Sequence, residues 1–139
     1  MVMSLTLDRA QQIIERAQVK AEEIGVPMTT AVVDEGGNLV ALSRMDGATL
    51  ISIDVAQGKA YTACATRKST EELGRNAQPG CPAFGVHVAS ERRIVIFGGG
   101  LPLMQGEQCI GGVGVSGGTV EQDVLVVRSA LGEVAGDGA

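Results

Sequence analysis

The chain has 139 residues, 45% of them hydrophobic and 19% charged, the balance of one globular domain rather than of a disordered segment. Its net charge is −5 and its only aromatic residues are Tyr61, Phe84 and Phe97, so it lacks both the cations that neutralise phosphates and the platforms that stack bases. Nucleic acid and anionic membrane surfaces are disfavoured as partners, and no apolar run approaches the ~20 residues that span a bilayer.

Leu7, Ala10, Ile14, Ala17, Ala21 and Ile24 recur at alternating spacings of three and four, with Asp8, Arg9, Gln12, Glu15, Arg16 and Lys20 on the opposite side. The pattern predicts an amphipathic helix capped by Thr6 and ended near Gly25-Val26-Pro27. Thr29–Val33 and Leu39–Leu42 are apolar runs around Asp34-Glu35-Gly36-Gly37-Asn38, and predict a β-hairpin. From Thr49 to Ala65 the spacing is helical again, with Ile53, Ala56, Ala60 and Ala63 in one stripe of mostly alanine. Such a stripe lets another backbone approach, so this helix is expected against the sheet or a partner subunit.

Ser69 and Glu72 stand in capping-box positions and start a short helix. Asn76–Phe84, with Pro79, Gly80 and Pro82, reads as loop. Ile94–Phe97 reads as a strand broken by Gly98-Gly99-Gly100, and Leu101–Met104 and Cys109–Val115 as a pair around a turn at Gly106. Thr119–Leu131 is the last helix, with Thr119 and Gln122 in capping-box positions. The order predicts a single α+β domain over 1–139, core about 5–131, with 132–139 as a flexible tail. Its sheet is expected to have five strands, mainly antiparallel, flanked by helices.

Glycine supplies 20 residues, about twice the usual ~7%. Gly112-Val113-Gly114-Val115-Ser116-Gly117 fits G-x-G-x-x-G between a strand and a helix. A dinucleotide fingerprint needs a second strand ending in an acid about 20 residues on, and the last helix takes more than half of the residues after Gly117. What remains is local. Ser116, Gly117 and Gly118 precede a helix N-terminus, where free N–H groups favour an anion. The competing reading is that these glycines only turn the strand into the helix.

Arg44 follows the second strand, with Met45 and Asp46 beside it, and would pair with a ligand carboxylate or with Asp46 or Asp34. Lys59 lies in the alanine-rich helix, where a lysine either snorkels to the surface or faces a cleft. Glu121 and Asp123 complement the dipole of the last helix, which accounts for both without a catalytic role. His87 is the only histidine, in an apolar stretch, and reads as a structural residue, a general base or an iron ligand. Cys64, Cys81 and Cys109 are odd in number and contain no CxxC, which suits reduced thiols in a cytoplasm. Cys64 and Cys109 read as buried and inert, and Cys81 in its Pro/Gly loop as the most reactive of the three. Met1–Ala10 lacks the apolar block of a secretory signal, so a cytoplasmic location is expected.

Together, Ala31-Val32-Val33-Asp34 with Gly37, Arg44-Met45-Asp46-Gly47-Ala48, Ala56 with Lys59-Ala60 and Thr62-Ala63, Gly98–Leu103, Ile110–Gly118 and Glu121-Gln122-Asp123 resemble one family in order and spacing. It is the GlcG/HbpS-type family, also called haem-degrading or PduO C-terminal-like, and the resemblance runs from Leu5 to Leu131. It implies an α-β-α sandwich related to the profilin-like group and assembly into dimers or larger homo-oligomers, with which a mean hydropathy of +0.20 agrees. Some members bind haem or are linked to its degradation, some are fused to corrinoid adenosyltransferases, and others sit in small-molecule catabolic pathways. Haem-binding relatives are expected to offer an axial histidine, often from the first helix, and Thr6–Ile24 contains none. Haem here would use His87, a cysteine, a methionine such as Met45, or no strong axial ligand.

Two functions follow. One is a small-molecule-binding protein, for haem or another carboxylate-bearing ligand, with Arg44, Met45, Lys59, Ser116, Gly117 and Gly118 around a cleft at the last helix. The other is a small catabolic enzyme in the same cleft, with Lys59 or Asp46 as acid/base and backbone N–H groups near Gly117 stabilising negative charge.

Overall fold

Thr6 opens the first helix, its side chain accepting the Arg9 backbone N–H at 3.1 Å, and α1 runs Leu7–Glu23. The computed structural model describes residues 4–132, so the expected tail lies, beyond Gly132, outside the described residues. After α1 come β1 (Thr29–Asp34), β2 (Leu39–Arg44), α2 (Ile51–Thr66), α3 (Thr70–Asn76), a 3-10 turn at Val86–Val88, β3 (Gly100–Gln105), β4 (Gln108–Ser116) and α4 (Val120–Ala130). The predicted helices and both hairpins form, with ends shifted by a residue or two. Ser69 caps α3 as its spacing suggested, accepting the Glu72 N–H at 3.1 Å.

The sheet runs in the order β2-β1-β4-β3, antiparallel at every step. It has four strands where five were expected. Ile94–Phe97 is the strand that does not form; it lies over α2 and α3 instead. Its Val95 N–H donates to Thr62 Oγ1 at 2.9 Å, and the Thr62 hydroxyl donates to the Arg93 carbonyl at 3.3 Å. The Ile96 carbonyl rests against Gly74 of α3. A helix side chain thus satisfies backbone groups that a strand ladder would otherwise take.

Strand alternation sends Val32, Leu101, Leu103, Val113 and Val115 to one face, where α1 and α4 cover them with Ala10, Ile13, Ala17, Val126, Val127 and Ala130. Ala31 and Val33 face Ala56, Ala60 and Cys64 of α2 on the other side. The result is α-β-α layering with a separate apolar cluster on each face of the sheet. On α1 the buried stripe uses Ile13 rather than Leu7, which is 54% exposed.

The glycine-rich run is explained by this layering. Gly112 and Gly114 of β4 face α2 so closely that a Cβ on either would strike the carbonyl oxygens of Ala60 and Ala56. Of the two alternatives for the alanine stripe, the sheet is what it packs against. Among the described residues no helix is long and apolar enough to cross a membrane.

Candidate functional site

Several residues singled out in the sequence meet at one end of the sheet. Arg44, Thr29 and Ser116 are direct neighbours across β2, β1 and β4. Met45 follows Arg44 and is half-buried; its Sδ accepts the Met28 N–H at 3.4 Å. Gly117, at φ +140°, turns the chain against Pro27 and Met28, a conformation open to glycine. Arg44 and Asp46 are exposed.

The N-terminus of α4 is satisfied from within. Thr119 and Gln122 form a reciprocal capping box, Thr119 Oγ1 accepting the Gln122 N–H at 3.2 Å and Gln122 Oε1 the Thr119 N–H at 2.9 Å. The Gly118 N–H donates to Asp123 Oδ1 at 2.9 Å. An amide that the sequence left open for an external anion is therefore held by a carboxylate of the same helix.

Asp123 is the partner that sequence reasoning missed. Lys59 is 0% exposed, and its ammonium donates to Asp123 Oδ2 and to the Val115 carbonyl, each at 2.8 Å. The Phe97 ring lies 5.1 Å away, within cation–π range. Lys59 is thus sealed in the core rather than solvated or facing a cleft. Burial pushes its pKa down and that of Asp123 up, while the attraction between the two opposes both shifts. A carboxylate in the first turn of a helix complements the dipole whether or not it has another partner, which hides the second role of Asp123 from the sequence. The signal was a lone lysine in an alanine stripe, which needs a buried counter-charge.

His87 sits on the 3-10 turn, exposed, with its ring edge-on to Phe84 at 6.1 Å. Cys81 is half-buried in its loop. Cys64 is buried, its Sγ toward the Asp34 carbonyl at 3.4 Å, and Cys109 is half-buried beside it, its Sγ toward the Gly111 carbonyl at 3.2 Å. Burial, with Cys109 adding to it, pushes the Cys64 thiol up to about 11. Among the described residues no group of three His, Cys, Asp or Glu side chains could hold a metal ion.

A larger opening lies on the α1/α4 side of the sheet. It is a groove of about 630 Å³ whose walls are Arg9, Gln12, Ile13 and Arg16 of α1, Leu101–Met104 of β3, and Ala130 and Leu131 at the end of α4. A shallower trough shares Gln12 and Arg16 and continues along α1 to Glu23, with Glu15 and Glu23 in its lining. Ile13, Leu101 and Leu103 behind the groove belong to the core and are each less than a tenth exposed, while Met104 at the open sheet edge is 40% exposed. Arg9 and Arg16 are exposed and take part in no ion pair among the described residues. A smaller cavity of about 240 Å³ lies over α2, where Arg92 stacks on Tyr61 at 4.2 Å. Neither the groove, the trough nor this cavity is lined by Arg44, Met45, Lys59, Ser116, Gly117 or Gly118. Arg9, Gln12 and Arg16 read in the sequence as the solvent side of α1; that two arginines seven apart share one helix face was the available clue.

The family model of the haem degrading, HbpS-like proteins matches residues 5–132. An uncharacterized 15.0 kDa protein in the dhaT-dhaS intergenic region of Citrobacter freundii is 46% identical over 130 residues, covering 94% of this chain and 92% of its own. The corrinoid adenosyltransferase PduO of Citrobacter freundii is 36% identical over 132 residues; the match takes in 95% of this chain and 39% of PduO. The crystal structure of a PduOC:haem complex superposes with a TM-score of 0.90 at 34% identity, over 96% of each chain.

Proposed function

The chain belongs to the HbpS-like family, and from that premise we propose that it is a small-molecule-binding protein for haem or a related carboxylate-bearing ligand, seated in the groove between α1 and β3. The observation that carries this reading is the groove itself, rimmed by two exposed arginines that take part in no ion pair among the described residues. Its volume is that of an ordinary ligand pocket, roughly 300–1,000 Å³. The residues fit the organic part of haem at the rim: Arg9 and Arg16 suit its acid groups, and the exposed Met104 suits the edge of its apolar ring. The haem-bound relative at 34% identity supports the ligand class. Haem, once bound, would supply a redox-active iron; this chain's residues would hold and orient the ring.

A haem titration followed at the Soret band tests it. The expected result is a saturable shift at one haem per chain, weakened by Met104→Glu, which puts a negative charge on the groove wall. Absence of a saturable shift in the wild type would overturn the reading and leave other carboxylated metabolites to be tried.

The same reading includes a homo-oligomer. Leu39, Leu50, Ile51 and Val88 are large apolar side chains left exposed, and β2 and β3 are uncovered sheet edges. Sedimentation should give a multiple of the 14.3 kDa chain mass, and a particle of one chain mass would overturn it.

A further inference from the structure

Cys64 stands in the last turn of α2 and Cys109 near the start of β4, 45 positions apart in sequence and side by side in the fold. The Cys109 Sγ lies 3.8 Å from the Cys64 carbonyl oxygen and 3.2 Å from that of Gly111. The Cys64 Sγ lies 3.4 Å and 3.6 Å from the carbonyl oxygens of Asp34 and Glu35, at the turn of the first hairpin. Each thiol thus faces backbone acceptors that take its hydrogen and oppose a negative sulfur. The two also act on each other, Cys109 helping to push the Cys64 thiol up. The neutral states that suit such surroundings are two thiols or one disulfide. A disulfide further needs its α-carbons drawn to within roughly 4.4–6.8 Å. The glycine seam is what brings these two backbones together: a Cβ at Gly112 of β4 would stand 3.1 Å from the Cys64 Cβ.

We infer that Cys64 and Cys109 are a redox pair that closes to a disulfide under peroxide and pins the end of α2 to β4. Cys109 is the half-buried member and meets the oxidant first; Cys64, 7% exposed, resolves it. The Cys109 thiol gives up its proton and its sulfur attacks one peroxide oxygen. The O–O bond breaks, and the departing hydroxide takes that proton and leaves as water, with Cys109 now a sulfenic acid. The Cys64 sulfur then attacks the Cys109 sulfur: the S–S bond forms, the S–O bond breaks, and hydroxide leaves with the Cys64 proton as a second water. The thiols together lose two electrons and two protons, and the peroxide is reduced to two waters. A bridge across 45 positions restricts the unfolded chain, so the oxidised form is the more stable one. Cys81, on the loop after α3, takes no part in the pair.

The test uses the full chain carrying Cys81→Ser, so that every thiol counted belongs to the pair. Hydrogen peroxide is added to the folded protein and removed, and the protein is then unfolded in guanidinium without reductant. Both thiols should be lost to titration, the intact mass should fall by two hydrogens, and a non-reducing denaturing gel should show a single chain. The denaturation midpoint should shift above that of the reduced protein, and dithiothreitol should reverse all four changes. In Cys64→Ser/Cys81→Ser, with its fold checked by far-UV circular dichroism, peroxide should instead leave Cys109 as a sulfenic acid that dimedone captures. Two thiols that still titrate after peroxide overturn the inference. So does a mass raised by added oxygen rather than lowered by two hydrogens, or a bridge that joins two chains. A disulfide that forms without any dimedone capture in Cys64→Ser/Cys81→Ser would overturn the assignment of Cys109 as the sulfur attacked first.

Discussion

Lys59 and Asp123 join α2 to α4 through charges that water does not reach, so each depends on the other far more than a surface pair would. Lys59→Met leaves the Asp123 carboxylate buried without a counter-charge and should cost about 3–5 kcal/mol of stability by chemical denaturation. Adding Asp123→Asn removes that charge while keeping an acceptor for the Gly118 N–H, and the double variant should regain much of the loss. A double variant no more stable than Lys59→Met would show that packing around the lysine, not its charge, set the cost. Cys64 gives a pH effect of definite sign. Its thiol ionises near its usual value of 9.0 when unfolded and at about 11 when folded. The stability it contributes is therefore complete below pH 9 and lost as pH rises to about 11, and Cys64→Ala should flatten that decline in alkaline denaturation curves. At this scale the sequence shows the residues but not the pairings. The partner of Lys59 is 64 positions away, a separation that no periodicity reports.

Helices and hairpins follow from local rules and were accordingly legible. The capping residues Thr6, Ser69 and Thr119 each accept the N–H three positions on, as their spacing implied. Thr119→Ala should cost about 1 kcal/mol in thermal or chemical denaturation. The strand expected at Ile94–Phe97 was not legible as anything else, because an apolar β-branched run looks the same whether it pairs with a strand or lies over a helix. The glycine motif behaves similarly: spacing fits a phosphate loop, while geometry shows a seam for α2. Gly114→Ala is the sharp test of that seam. The added methyl would meet the Ala56 carbonyl and the Ala60 nitrogen, both backbone, so relief requires α2 to move. A loss of at least about 1–3 kcal/mol in melting experiments is expected. Little change would mean that α2 has slack against the sheet.

The whole molecule sets two apolar clusters back to back across a four-stranded sheet, one under α1 and α4 and one under α2. Because β1 and β4 belong to both, the layers should unfold together. Far-UV circular dichroism and labelling of the buried Cys64 thiol should then report the same denaturation midpoint; a lower midpoint for the thiol would reveal an α2 layer that opens first. The groove was the least legible feature, since its walls come from α1, β3 and α4 and exist only once those elements meet. The two layers also differ in the side chains they contain. The α2 seam is built largely from alanine and glycine, which have almost no rotamers to exchange. Its tightness is fixed by backbone against backbone, so it can neither swell nor repack to accommodate a guest. The opposite layer, with isoleucine, leucine and methionine, retains that plasticity. If the groove takes a ligand as proposed, changes of shape on its entry fall on the α1/α4 side, with the rigid seam as the anvil against which that side deforms.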